Sequence, residues 1–167
     1  MFTSGISARY IKKALKGYDY KIETKARVTS TNTLMKEAAQ NGAAEFSVLA
    51  ASAQSAGGGR MGRSFHSPSG SGIYMSILLR PHENINPLLI TTAAAVCCAR
   101  VFERMTGVSA YIKWVNDIYI NNRKVCGILT ESSLGENGYA VLGIGINACM
   151  IYFWIDTQMH FSIGKFG

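Results

Sequence analysis

The strongest constraint on this chain is the run QSAGGGRMGRSFHS, Gln54 to Ser67, set between two strand-like stretches. Three consecutive glycines, Gly57, Gly58 and Gly59, are followed by Gly62 and interleaved with Arg60 and Arg63. Glycine lets a backbone approach a ligand closely and take positive φ. Arginine offers a planar fork matched to carboxylate and phosphate oxygens. The spacing Gly57-x-Gly59-x-x-Gly62 fits a dinucleotide fingerprint, and Gly57-x-x-x-x-Gly62-Arg63-Ser64 fits a P-loop with arginine for lysine. Both of those need a helix directly after the glycines, because its N-terminus holds the phosphate. Here the chain passes through Pro68, Gly70 and Gly72 into the strand pattern IYMSILL. The doubly wound nucleotide folds are thereby disfavoured. Two readings stay open: a mobile loop that clamps an anion, or a plain flexible hairpin loop.

The 167 residues suffice for one domain with a core, and 48% apolar against 16% charged residues is globular rather than disordered. The net charge of +7 is concentrated early, from Arg9 to Arg27. A basic start suits nucleic acid or a membrane surface, but no nucleic-acid motif accompanies it, so a solvated face is the expectation and neither partner is expected. The longest apolar stretch, Leu88 to Ala99, is too short to span a bilayer. Cys97, Cys98, Cys126 and Cys149 form no C-x-x-C and no metal-type pairing with His66, His82 or His160. Cys97 and Cys98 are expected to be reduced, buried thiols. With no signal-like start, a cytoplasmic location is expected.

In chain order, Ile6 to Leu15 reads as an amphipathic helix ended by Gly17, and Tyr18 to Val28 as a strand. Thr29 to Asn32 is a cap cluster before a helix from Thr33 to Gln40. Phe46 to Ala53 is a small-residue strand suited to a central position. Ile73 to Leu79 is the next strand, with Ile73, Met75, Ile77 and Leu79 on one face. Asn86 to Met105 is the longest helix, expected to be buried along most of its circumference. Short strands follow at Ala110 to Trp114 and Asp117 to Ile120. Asn121-Asn122 signals a tight turn, and two strands, Lys124 to Ser132 and Tyr139 to Asn147, flank a turn at Gly135 to Gly138. The expected class is α+β: a mixed, mostly antiparallel sheet with helices packed on one side.

Several polar groups break the apolar pattern. Lys113-Trp114-Val115-Asn116-Asp117 places a lysine, an amide and a carboxylate at a strand junction, where Asp117 either caps a turn or holds Mg²⁺. Lys124 opens the strand VCGIL and is a solvated lysine or a functional one. Gly143 and Gly145 alternate in a strand ending at Asn147, which implies close approach of another backbone or a ligand.

Taken together, S-T-N, Q-x-A-G-x-G-R-x-G-R, K-W-x-N-D, R-K-x-x-G-I-L-x-E and G-I-G-I-N occur in one order and spacing. From about Ile6 to Asn147 the chain resembles the catalytic domain of biotin protein ligase, a class II synthetase-like fold shared with lipoate ligases. The resemblance implies activation of biotin by MgATP as biotinyl-5'-AMP and transfer of biotin to a lysine of a biotin carboxyl carrier domain. It implies a biotin site of Ser30, Thr31, Asn32, Gln54, Gly57, Gly58, Gly59, Arg60, Lys124, Gly127 and Gly145. It implies an ATP site of Arg60, Arg63, Phe65, Lys113, Asn116, Asp117 and Asn147, with Phe65 stacking on adenine and Asp117 placing Mg²⁺. Lys124 and Arg60 would be catalytic, compensating charge where one anion attacks another. A homodimer is compatible with the resemblance, and the histidines lie outside its motifs.

Two departures lie within the motifs. Gly58 stands where the family usually has a basic residue, and Val115 replaces the proline of K-W-P-N-D, which is expected to loosen the turn before Asn116. After Asn147 the sequence ACMIYFWIDTQMHFSIGKFG departs from the family, so residues 1–147 are read as an incomplete catalytic domain and 148–167 as an atypical tail. The apolar run Met150 to Trp154 is expected to be exposed. A C-terminal β domain and an N-terminal helix-turn-helix domain are not expected, nor is a DNA-binding repressor role. The rival readings are a lipoate or octanoyl ligase or transferase of the same fold, and a non-catalytic biotin-binding remnant.

Overall fold

The computed structural model describes residues 7–17, 20–81, 86–133, 138–152 and 155. The elements run α1 (Ala8–Ala14), β1 (Ile22–Lys25), α2 (Thr31–Gln40), β2 (Val48–Ala51), β3 (Ile73–Leu79), α3 (Pro87–Thr106), β4 (Ala110–Lys113), β5 (Asp117–Ile120), β6 (Arg123–Ser133) and β7 (Tyr139–Ile146). Among the described residues one seven-stranded sheet is ordered β1-β2-β3-β7-β6-β5-β4, and of its strand pairs only β1–β2 is parallel. The expected mixed, mostly antiparallel α+β architecture is therefore present.

The local chemistry explains the boundaries. Asn86 caps α3 by accepting the Leu88 N–H at 2.9 Å, Pro87 occupies the first turn, and Gly107 ends the helix at φ 67°. Ser30 caps α2 by accepting the Thr33 N–H at 3.4 Å, so the helix begins at Thr31, two residues before the expected start. Asn121 and Asn122 both take positive φ, 46° and 60°, as a two-residue hairpin turn requires. The turn expected at Gly135 to Gly138 lies outside the described residues except for Gly138.

The helices do not share one face of the sheet, contrary to expectation. On β3, Leu78 packs in a cluster with Met35 and Ala39 of α2, whereas Met75, Ile77 and Leu79 pack with the cluster under α3. On β7, Val141 joins the α2 cluster, whereas Leu142 and Ile144 join the α3 cluster. Successive strand residues point to opposite faces, so α2 and α3 cover opposite sides. The α3 core holds Ile118, Ile120, Val125 and Ile128, each at most 1% exposed. Burial of side chains of this size contributes about 1.5–3 kcal/mol each.

α3 is buried on one stripe only: Thr91, Ala95, Ala99, Phe102 and Thr106 face the sheet, while Leu89, Val96 and Val101 are exposed. Its mean apolarity suggested fuller burial, but one sheet can contact only one side of a helix. For the same reason Cys97 is exposed and Cys98 is half-buried; the buried thiol is Cys126, and all four cysteines are free. Contact with Cys98 and burial both push the Cys126 thiol well above its ordinary range. α1 buries none of its residues, and Tyr10 is exposed. Residues 148–152 are helical, and Ile151 is buried in the α3 core, with Met150 packed against it, so this part of the tail is not an exposed run. Tyr152 is exposed; Phe153 and Trp154 lie outside the described residues. Among the described residues no helix is long and apolar enough to cross a membrane.

Candidate active site

A cleft of about 330 Å³ opens on the α2 face of the sheet. Its floor is a row of directly paired residues across five strands: Tyr74 opposite Gly145, Gly145 opposite Gly127, Gly127 opposite Asp117, and Asp117 opposite Lys113. A second row joins Ser76, Gly143 and Leu129. The missing side chains in these rows are used. A Cβ on Gly143 would collide with the amide of Asn32, and one on Gly145 would lie 2.5 Å from the ring of Phe65. A Cβ on Gly127 would meet the same ring at 2.8 Å. The alternating glycines thus admit two specific side chains, which strand pairing alone would exclude.

A β-bulge aims the lysine. Ile118 pairs with Cys126 but Tyr119 pairs with Lys124, so β6 has one residue more than β5 at this point. Val125 and Cys126 both bury in the α3 core, and the extra residue returns Lys124 to the cleft side beside Gly127. A bulge is a recognised way to redirect a side chain. Lys124 Nζ lies 2.7 Å from Asp117 Oδ1 and 5.5 Å from the centre of the Phe65 ring.

One wall is the N-terminus of α2. Gln54 Oε1 accepts from the Thr31 N–H at 2.7 Å and from Thr31 Oγ1 at 3.0 Å, and Gln54 Nε2 donates to Ser67 Oγ at 3.1 Å. A donor–acceptor inventory follows. The Thr31 hydroxyl proton is spent on Gln54, so its lone pairs can accept. Ser30 Oγ accepts from the Thr33 N–H, so its own proton can donate. One Nε2 proton of Gln54 is also unspent. The wall can therefore meet N–H donors and a carbonyl acceptor together.

The opposite wall is the glycine loop, which forms a small hairpin rather than an irregular loop. Phe65 N–H donates to Gly57 O at 2.7 Å, Gly58 bridges Ser64, and Gly59 N–H donates to Arg63 O at 2.7 Å. The tip, Arg60–Gly62, turns through positive φ at Met61 (56°) and Gly62 (72°). The hairpin base is stitched to the segment between β1 and α2, with Ser55 N–H to Val28 O at 3.0 Å and Ala56 N–H to Thr29 O at 2.8 Å. Arg60 crosses the cleft, Nη1 donating to Asn116 Oδ1 at 3.2 Å. Asn116 is itself held by Nδ2 to Ile128 O at 3.0 Å and by Ile128 N–H to its own carbonyl at 2.9 Å. Val115, in place of proline, is 4% exposed, and the peptide before it is cis. Asn116 is thus anchored by β6, although loosening was expected.

Of the residues the sequence singles out, Ser30, Thr31, Asn32, Gln54, Gly58, Gly59, Arg60, Arg63, Phe65, Lys113, Asn116, Asp117, Lys124, Gly127 and Gly145 all line the cleft. Gly57 and Asn147 do not. Gly57 is buried beneath it, where a Cβ would lie 2.6 Å from Phe65 O and 2.9 Å from Gln54 Nε2. Asn147 follows β7 and donates its N–H to Val125 O at 2.8 Å. Phe65 is committed to the floor glycines and packs edge-on against Tyr74, ring centres 6.3 Å apart. Sequence reasoning missed Met61 and Trp114, exposed residues that also line the cleft, because each reads as an ordinary exposed apolar residue. It also assigned no role to Lys36 or Glu131, whose pairing across 95 residues leaves no local signal. No group of three His, Cys, Asp or Glu among the described residues could hold a metal ion.

A sequence profile described as the biotin/lipoate A/B protein ligase family matches residues 24–147. The chain belongs to that family. It is 42% identical over 123 residues to the bifunctional ligase/repressor BirA of Bacillus spizizenii, covering 72% of this chain and 38% of the relative. It is 33% identical over 100 residues to BirA of Escherichia coli K12, covering 58% of this chain and 31% of that one. Among solved structures, the biotin protein ligase of Aquifex aeolicus in complex with biotin and ATP superposes with a TM-score of 0.61 at 30% identity, over 77% of this chain and 52% of that one. The Leishmania major biotin protein ligase in complex with biotinyl-5-AMP gives 0.64 at 25% identity, over 75% and 56%. The chain thus spans well under half the length of these curated relatives and about half that of the solved ones.

Proposed function

We propose that this chain is the catalytic domain of a biotin protein ligase, forming biotinyl-5'-AMP from biotin and ATP and passing biotin to a lysine of a biotin carboxyl carrier domain. The observation that carries the reading is Lys124, turned by the bulge onto a glycine floor between the two walls. One wall has a hydrogen-bond inventory complementary to a cyclic urea, which offers two N–H donors and one carbonyl. The other carries two arginines. The similarity to ligases solved with biotin, ATP or biotinyl-5-AMP supports the same assignment.

The chemistry follows from charge. A biotin carboxylate oxygen attacks the α-phosphorus of ATP, the P–O bond to pyrophosphate breaks, and an acyl–phosphate anhydride forms. Nucleophile and electrophile are both anionic, so cations must sit where they meet. Lys124 and Arg60 take that role, with Arg63 and Lys113 on the nucleotide side. Asp117, 2.7 Å from Lys124, holds the ammonium in place. Asp117, with the carboxylate oxygen not paired to Lys124, and the neighbouring Asn116 amide are the groups that would hold a magnesium ion here. The ion would offset phosphate charge. The hairpin covers the anhydride and excludes water. In the second half-reaction a neutral carrier lysine attacks the acyl carbon and AMP leaves, which needs positioning rather than a covalent enzyme intermediate. Trp114, 73% exposed at the rim, is the aromatic ring left free to meet adenine, since Phe65 is engaged below.

Lys124→Ala tests the reading. Adenylate formation should fall by about 10²–10³-fold, the scale for losing one transition-state charge partner, while biotin binding persists in weakened form. An unchanged rate of biotin-dependent pyrophosphate exchange would remove Lys124 from the mechanism.

A further inference from the structure

Beneath the α2 wall lies a polar chain that the adenylation chemistry does not use. Asn32 Nδ2 donates to Glu131 Oε2 at 2.8 Å and to Leu129 O at 3.3 Å. Asn32 Oδ1 accepts from the buried hydroxyl of Ser76 at 2.6 Å. The other Glu131 oxygen takes Lys36 Nζ at 2.6 Å. Asn32 and Lys36 are one turn apart on α2, so they grip the two oxygens of one carboxylate from the same helix face. Burial alone would raise the Glu131 carboxyl, yet the bonds from Lys36 and Asn32 outweigh it and hold the group below its ordinary value.

The order of donors and acceptors along this chain admits one arrangement. Lys36 can only donate, and ionised Glu131 can only accept. The NH2 of Asn32 must therefore face Glu131, and its oxygen must face Ser76. The serine hydroxyl can donate or accept, so it follows the amide and does not set it. The amide oxygen sits over Gly143, where a Cβ would collide with it, on the floor of the cleft. We infer that Lys36 and Glu131 are positioning residues: together with the Leu129 carbonyl, which accepts from the same NH2 at 3.3 Å, the pair fixes which end of the Asn32 amide is presented to the ligand, and so makes this part of the wall an acceptor for an N–H donor. This rests on the reading of the cleft as a biotin site.

Glu131→Gln separates the inference from a merely structural role. Lys36 claims the glutamine oxygen, the glutamine NH2 then opposes the Asn32 NH2, and the asparagine either loses its bond to residue 131 or turns over and sets its oxygen against the Leu129 carbonyl. Biotin affinity by calorimetry should fall about tenfold, as expected for a buried donor left unpaired. Lys36→Met on top of Glu131→Gln frees the glutamine to rotate its oxygen back towards Asn32. The double variant should recover affinity to within about threefold of wild type, because the acceptor is restored. A structural ion pair predicts the reverse, with the second change adding damage. The side-chain NH2 resonances of Asn32 give a readout independent of ligand: resolved and slow to exchange in wild type and the double variant, collapsed or shifted in Glu131→Gln. Wild-type affinity in Glu131→Gln, or a double variant no better than the single, overturns the inference. If wild type does not bind biotin, the biotin reading fails instead, and the loss or retention of the Asn32 signal pattern alone decides the positioning role.

Discussion

Lys124 reaches the cleft because the two residues that follow it, Val125 and Cys126, are both buried in the core. In an unbroken β6 the side chains at 124 and 126 would share a face, and Cys126 belongs to the core under α3. Val125 belongs there too, and two successive buried positions are what the bulge accommodates. The pair Val125-Cys126 is thus a faint trace of the bulge in the sequence, but a lysine after a tight turn reads equally well as solvated. Asp117 reads as a turn cap or a metal ligand, and its pairing with Lys124 appears only once β5 and β6 are aligned. Gly58 yields a sharper residue-scale expectation. A Cβ there would meet nothing nearer than Leu129 Cδ2 at 3.7 Å, and its φ is not in the left-handed region. Gly58→Arg should therefore fold normally and restore a cation to the hairpin. Release of biotinyl-5'-AMP should slow by about threefold to tenfold, the range of one partly exposed charge pair. Faster release, or a lowered melting temperature, would show that the open space is not available to a side chain.

At the scale of elements, most strands and both long helices were legible. β3 matched its alternation residue for residue, and α3 lies within one residue of its expected bounds at each end. What was not legible was how much of each element another element covers. The apolar content of α3 suggested burial all round, but burial depends on how many partners surround the helix, and here there is one sheet. The face on which a helix packs is also invisible to periodicity, because the alternation of β3 and β7 serves both sides equally. The β5–β6 turn tests how firmly element geometry sets the site. Asn121 holds φ 46°, two residues before the strand that carries Lys124. Asn121→Val should cost about 1–2 kcal/mol, the penalty for a left-handed conformation, whereas Asn121→Gly should be close to neutral. Urea unfolding of the two variants measures the difference; equal midpoints would mean that the turn does not constrain the strands.

For the whole molecule, the cleft is assembled from well-separated segments: residues 30–32, Gln54 with the hairpin from 58 to 65, β3, the 113–117 junction, and strands β6 and β7. No single segment defines it, which is why each motif alone left two readings open and their joint order was needed. On the nucleotide side the sequence did not show where Asn147 and Phe65 sit relative to the cleft. Asn147 lies off the cleft and Phe65 is committed to its floor, because the route of the backbone past the last strand and the depth of a ring on glycine depend on tertiary packing. The central claim is that this sheet, with its bulged lysine and arginine hairpin, activates a carboxylate that carries a cyclic urea. The most direct test is ATP–pyrophosphate exchange by the purified chain with Mg²⁺, run in parallel with biotin and with lipoate. Exchange that depends on biotin and not on lipoate is the predicted result. Exchange with lipoate alone, or none with biotin while biotin still binds, would contradict it.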